Sequence, residues 1–130
     1  MSVTSENVVI TKTARRKLVR AKAGAQDLPK IIGVAFGDGG VDEEGTIIPP
    51  DEDQTELRHE LHRKQIDGYE FVNDTTCRYR CTLIENELSG EEISEVGLYD
   101  EDGDIVEIKA FMRKGKDPDI RQTFTIDDVM

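Results

Sequence analysis

Tryptophan is absent, and phenylalanine plus tyrosine number only seven in 130 residues. The core must therefore be aliphatic, and a cleft that stacks sugars on aromatic faces lacks its material. No apolar run approaches the roughly twenty residues that span a bilayer as a helix, so no membrane segment is expected. The opening Met1-Ser2-Val3-Thr4-Ser5-Glu6-Asn7 has no cationic stretch before a hydrophobic block, so no secretory signal is expected. Cysteine occurs only at Cys77 and Cys81. In an extended segment that spacing separates their Cα atoms by about 13 Å, beyond the roughly 7 Å a disulfide tolerates. Two reduced core thiols and a cytosolic folding environment are expected. Positive charge is also scarce: 17 Lys and Arg face 28 acids, a net charge of −11. That balance argues against nucleic acid as a partner.

What remains suffices for one folded domain over residues 1–130. The basic residues are concentrated. Residues 1–30 hold seven Lys and Arg against two acids, and the rest hold ten against 26. An exposed basic helix on an acidic domain accounts for this. So does an oriented contact in which the basic segment docks on an acidic surface of a partner or sister copy. Arg15, Arg16 and Arg20 are the candidate interface residues.

Residues 1–10 read as an arm or short strand carrying Val8-Val9-Ile10. A helix follows, capped by Thr11 or Thr13, with Ala14, Leu18 and Ala21 on one face and Gly24 as its stop. Ile31 to Phe36 is a short continuous apolar run, which predicts a buried strand. Gly37 to Gly40 end it. Residues 41–53 are acidic, with Pro49-Pro50 fixing an extended backbone, and are expected to be an ordered exposed loop. A second helix is expected from Asp53, capped by Asp53-x-x-Glu56, striped by Leu57 and Leu61 and closed by Arg63 and Lys64. From about residue 66 the period becomes 2. Cys77, Tyr79, Cys81 and Leu83 share one face. Val96 and Leu98 do likewise, then Val106, Ile108, Ala110 and Met112, then Ile120, Gln122, Phe124 and Ile126. The expected class is α+β, with two N-terminal helices packed on an antiparallel sheet or small sandwich.

Each candidate chemistry fails on spacing. Gly37-x-Gly39 begins like a dinucleotide loop, but the third glycine position is Asp42, and Asp42-Glu43-Glu44 would repel a pyrophosphate. These glycines read instead as a turn that needs positive φ. Asp100-x-Asp102-x-Asp104 begins like a calcium loop, but Ile105 and Phe111 stand where glycine and a bidentate Glu belong. A hairpin turn with Gly103 in the left-handed region accounts for it. His59-x-x-His62 and the two cysteines do not make a zinc set, because the cysteines are too far apart to reach one ion at about 2.3 Å each. No hydrolase elbow is present. A pair of carboxylates across a cleft, as in glycoside hydrolysis, stays open as a separate reading. No enzyme activity, metal, cofactor or small-molecule substrate is expected. A small glycan- or metal-binding module is the alternative.

One ordered set of segments remains. Ile10-Thr11 opens the basic helix, and Val34-Ala35-Phe36-Gly37-Asp38-Gly39 follows. Pro49-Pro50 and Thr55-x-Leu57-x-x-Glu60-Leu61-x-Arg63 come next, and then Ile93-Ser94-Glu95-Val96-Gly97-Leu98-Tyr99-Asp100-x-Asp102-Gly103. Over roughly residues 8–112 this resembles the phage tail-collar fibre protein family. The resemblance implies a structural part of a phage or prophage tail, a fibre or baseplate adaptor assembled in the host cytoplasm. It implies a homotrimer bound to other tail and baseplate proteins. Gly37 and Gly39 would shape the first loop, with Asp38 satisfying backbone donors there. Glu95 would face a partner group, and Gly97 would allow close backbone approach. Leu98 would be core, and Asp100 with Gly103 would form a hairpin tip. The family's members continue into a shaft and a receptor-binding tip. This chain stops soon after the match, so a stand-alone adaptor, or a reduced fibre from a defective prophage or tailocin-like particle, is expected.

Overall fold

The structure, a computed structural model, describes residues 7–130, so residues 1–6 of the expected arm lie outside the described residues. The elements in chain order are β1 (Val8–Ile10), α1 (Lys12–Lys22), β2 (Ile31–Gly37), β3 (Glu60–Gln65), β4 (Gly68–Asn73), β5 (Thr76–Leu83), β6 (Glu92–Asp100), β7 (Ile105–Gly115) and β8 (Gln122–Val129). They form two antiparallel sheets, one ordered β1-β7-β6-β2-β3 and the other β4-β5-β8.

The expected second helix does not form. Glu60–Gln65 is a strand, paired antiparallel with β2 so that Arg63 faces Ala35 and Lys64 faces Val34. Leu57 and Leu61 offered a stripe only two residues long, and a short helix without a broad packed face is marginal. With 48% of the described residues in strands and one short helix among them, the fold is mostly β, not α+β with two helices.

The one helix has well-defined ends. The Thr11 hydroxyl oxygen accepts from the Ala14 amide at 3.2 Å and donates to the Ile105 carbonyl at 2.9 Å. At the other end Gly24, at φ +75°, and Ala25 return their amides to the Ala21 and Arg20 carbonyls. This paired closure satisfies the last helical acceptors.

Between the sheets lie Val34 and Phe36 of β2, Val96 and Leu98 of β6, Cys81 and Leu83 of β5, and Phe124 and Ile126 of β8. The rings of Phe36 and Phe124 meet edge to face at 5.2 Å. The outer face of the larger sheet carries a second cluster of Ala35, Leu57, Tyr99, Ile105 and Ile108. There Tyr99 lies flat across Gly33, where any Cβ would stand 2.2 Å from the ring. The Arg63 guanidinium caps that ring at 4.8 Å.

Two expected strand faces are corrected. Opposite β6, Leu98 pairs with Glu107 but Tyr99 pairs with Ile105, so β7 carries one extra residue. Such a bulge moves the following side chains to the other face. Val106 therefore packs with the inner cluster, whereas Ile108 joins the outer one. Met112 is exposed, and Ile120 is exposed in the turn before β8.

Candidate functional site

Three places gather polar chemistry. The first is Glu95, on the outer face of the central strand β6. Its side chain is buried, and its carboxylate accepts three backbone amides. Oε2 takes those of Gly39 at 2.8 Å and His59 at 2.9 Å, and Oε1 takes that of Arg58 at 3.0 Å. Next to it the Ser94 hydroxyl accepts the Gly40 amide at 2.9 Å. One dipeptide of β6 thus holds both ends of the long loop between β2 and β3.

Gly37 and Gly39 serve contact, not turn geometry. Positive φ among glycines occurs at Gly24, Gly45, Gly90 and Gly103, so Gly37 and Gly39 do not have the expected left-handed backbone. A Cβ at Gly37 would lie 2.4 Å from the His59 carbonyl oxygen, and one at Gly39 would lie 2.7 Å from Glu95 Oε2. Only glycine lets the loop lie this close to β6 and β3. Gly97 likewise sits beneath Leu57, 3.1 Å from where its Cβ would be. Asp38 does not serve the loop's donors. Its carboxylate meets the exposed His59 ring at 2.5 Å and raises that imidazole's pKa.

The second place is the hairpin joining β6 to β7. Asp100 is buried, and its Oδ1 accepts the amides of Asp102 and Asp104 at 3.0 and 3.1 Å. Gly103, at φ +85°, lets the chain turn. The three aspartates converge as a cation site would. The cation among them is the α1 residue Lys17, whose Nζ stands 2.6, 3.1 and 2.7 Å from Asp100, Asp102 and Asp104. Burial depresses its pKa, but the three hydrogen bonds outweigh that and raise it. Sequence spacing alone could not find this, because the ammonium comes from 83 residues away. Lys17→Met is expected to cost about 2 kcal/mol, less than a fully buried pair because two of the three acceptors are exposed. Urea melts of the two proteins measure it, and coincident curves would refute the tie.

The histidines and cysteines do not assemble. His59 meets Asp38, and His62 bonds Glu87 at 2.9 Å. Burial pushes the Glu87 carboxyl up, but the Ile84 amide, Lys64 and His62 more than offset it and hold it near 2. Cys81 is buried against the Gln65 carbonyl, and burial pushes its thiol up to about 12. Cys77 is a free thiol on the wall of a cleft.

That cleft is the third place. It has a volume of about 730 Å³ and opens between α1 and the smaller sheet, with Leu18, Leu28, Tyr69, Phe71 and Met130 on its walls. Glu107 lies at its floor, opposite Leu98 on the inner face of β7 and 2% exposed. Burial, then the neighbouring Asp128, push its carboxyl up to about 9. Burial also raises Asp128. No donor reaches Glu107 Oε2. The sequence reading missed Glu107, because period 2 placed it on the solvent face.

On the helix surface, Arg15 stands 4.0 Å from Glu52. Lys12 pairs with Asp53 at 2.9 Å. Arg16, Arg20 and Lys22 make no ion pair among the described residues, and Val19 between them is 67% exposed.

No curated protein matches this sequence. Residues 4–125 match the family described as phage tail-collar fibre protein, N-terminal. By that match, over nearly its whole length, the chain belongs to the phage tail-collar fibre family and is a structural component of the phage tail.

Proposed function

We propose that this chain is a non-enzymatic adaptor that trimerises through α1 and attaches to other tail and baseplate proteins. The observation that carries the reading is the surface of α1. Arg16 and Arg20 surround the exposed Val19 with no counter-ion among the described residues, on a chain of net charge −11. A cyclic trimer gives each such helix an acidic neighbour. An interface of this kind combines an apolar contact with screened charge pairs, so it weakens as salt rises.

Light scattering after size exclusion tests it. The expected mass is near three times the 14.6 kDa of one chain, falling toward one in high salt. Arg16→Glu with Arg20→Glu is expected to leave a folded monomer. A monomer at high protein concentration and low salt overturns the self-assembly.

A further inference from the structure

The two sheets are tied together differently along their two sides. Where β3 runs into β4, the connecting residues bond to both sheets. The Ile66 amide donates to the Ile32 carbonyl of β2 at 3.1 Å, and the Asp67 amide donates to the Arg80 carbonyl of β5 at 2.8 Å. Lys64 of β3 adds a bond to the Thr82 carbonyl at 2.7 Å. Toward the far side, the tie between β7 of the larger sheet and β8 of the smaller is a pair of acids. There the Glu107 carboxyl donates its proton to the Asp128 carboxylate, and both line the cleft.

The groups around this pair leave its charge poorly compensated. Lys109 on β7 favours ionisation of Glu107, but burial and Asp128 outweigh it. Lys17 of α1 is committed to Asp100 and its hairpin, and Arg15 faces Glu52. Arg78 holds Asp127, the neighbouring acid on β8. Lys30, which also lines the cleft, is exposed. On the smaller sheet, Cys77 stands across the ladder from Asp128, Tyr79 is hydrogen-bonded to Cys77, and Tyr69 lies on β4. Neither a thiol nor a phenol supplies a positive charge.

We propose that the proton between Glu107 and Asp128 is a latch on the cleft side of the sandwich. Its loss in alkaline solution sets two carboxylates against each other between the sheets. The sheets then part there and widen the cleft, while the side at β3 and β4 stays closed. Two like charges in a buried site repel and call for water. The cleft already opens beside the pair, so water enters there without disturbing the ties at Ile66 and Asp67.

Hydroxyl-radical footprinting of the full chain reads the latch, with oxidation measured residue by residue at about pH 6 and about pH 9.5. Leu98 lines the cleft and is buried, and Leu83 is equally buried but does not line it. Oxidation of Leu98 is expected to rise about fivefold or more between the two conditions, because each pH unit shifts such an equilibrium by up to about tenfold. Leu83 is expected to stay protected. Glu107→Gln keeps a donor for Asp128 but has no proton to lose, so its Leu98 is expected to stay protected in both conditions. Asp128→Asn leaves one charge in place of two and is expected to give a smaller rise.

A flat Leu98 profile in the wild type overturns the latch. So does an equal rise in Glu107→Gln, which would assign the opening to another group. Matching rises at Leu98 and Leu83 also overturn it, because the whole domain would then be unfolding. The comparison of these two leucines is made within the wild-type chain, so it decides the outcome even where a variant fails to fold.

Discussion

Glu95→Ala is expected to lower the unfolding free energy by about 3–5 kcal/mol. The three amides of Gly39, Arg58 and His59 lose their acceptor at once. The side chain is 1% exposed, so water cannot readily replace the carboxylate. Leaving buried donors unpaired costs about 1–3 kcal/mol apiece, and partial relaxation of the loop keeps the total below a simple sum. For a domain of ordinary stability, about 5–15 kcal/mol, this is a large fraction. Glu95→Gln is expected to cost less, because one amide oxygen still accepts while its NH₂ opposes the remaining donors. Denaturant melts give the magnitude, and amide exchange at Gly39, Arg58 and His59 locates it. A Glu95→Ala melt within about 1 kcal/mol of wild type would remove the carboxylate from its assigned role.

The second large effect depends on pH. The Glu107 carboxyl is raised from 4.5 to about 9. Between those values the unfolded chain has released this proton and the folded chain still holds it. Stability from this group is therefore complete below about pH 4.5 and drains away as pH rises toward 9, at up to about 1.4 kcal/mol per pH unit. Glu107→Gln cannot ionise. It is expected to match wild type near pH 5 and to exceed it by about 3 kcal/mol near pH 9, a value reduced for the coupling to Asp128. Comparing the two proteins at each pH cancels His59, whose raised pKa also removes stability as pH rises. Carbon-13 labelling of the glutamate carboxyls gives a direct midpoint. A Glu107 titration finished by pH 6 would show that the floor of the cleft is wetter than its burial indicates.

Much of the architecture was legible in the sequence, for local reasons. Helix α1 announces itself through Thr11, the Ala14–Leu18–Ala21 face and Gly24, all within one segment. Strands β2, β5 and β6 show continuous or alternating apolar patterns that survive in the fold. Strand β3 was not legible. Glu60, Leu61, Arg63 and Lys64 favour helix, and what overrides them is distant: the edge of β2 and the Glu95 carboxylate, 36 residues from His59. Glu107 was hidden for a different reason. It alternates with Ile108 as period 2 requires, but Ile108 packs on the outer face of the larger sheet, so the opposite face is the one between the sheets, and the sequence does not mark which face that is. The Asp100 cluster shows the limit in miniature. Its spacing revealed the turn, but the ammonium that fills it belongs to another element.

The clasp at Glu95 has a consequence for how this region can change over time. A single oxygen grips both Gly39 and His59, so the two stems of the intervening excursion are held side by side whatever its tip contains. Lengthening such a closed excursion is cheap, about 0.6 kcal/mol for each doubling. The exposed tip around Glu43 and Glu44, closed beneath by the Val41–Ile47 bridge, can drift, grow or carry a grafted epitope without loosening the stems. It is a natural cassette for diversification on an otherwise rigid frame.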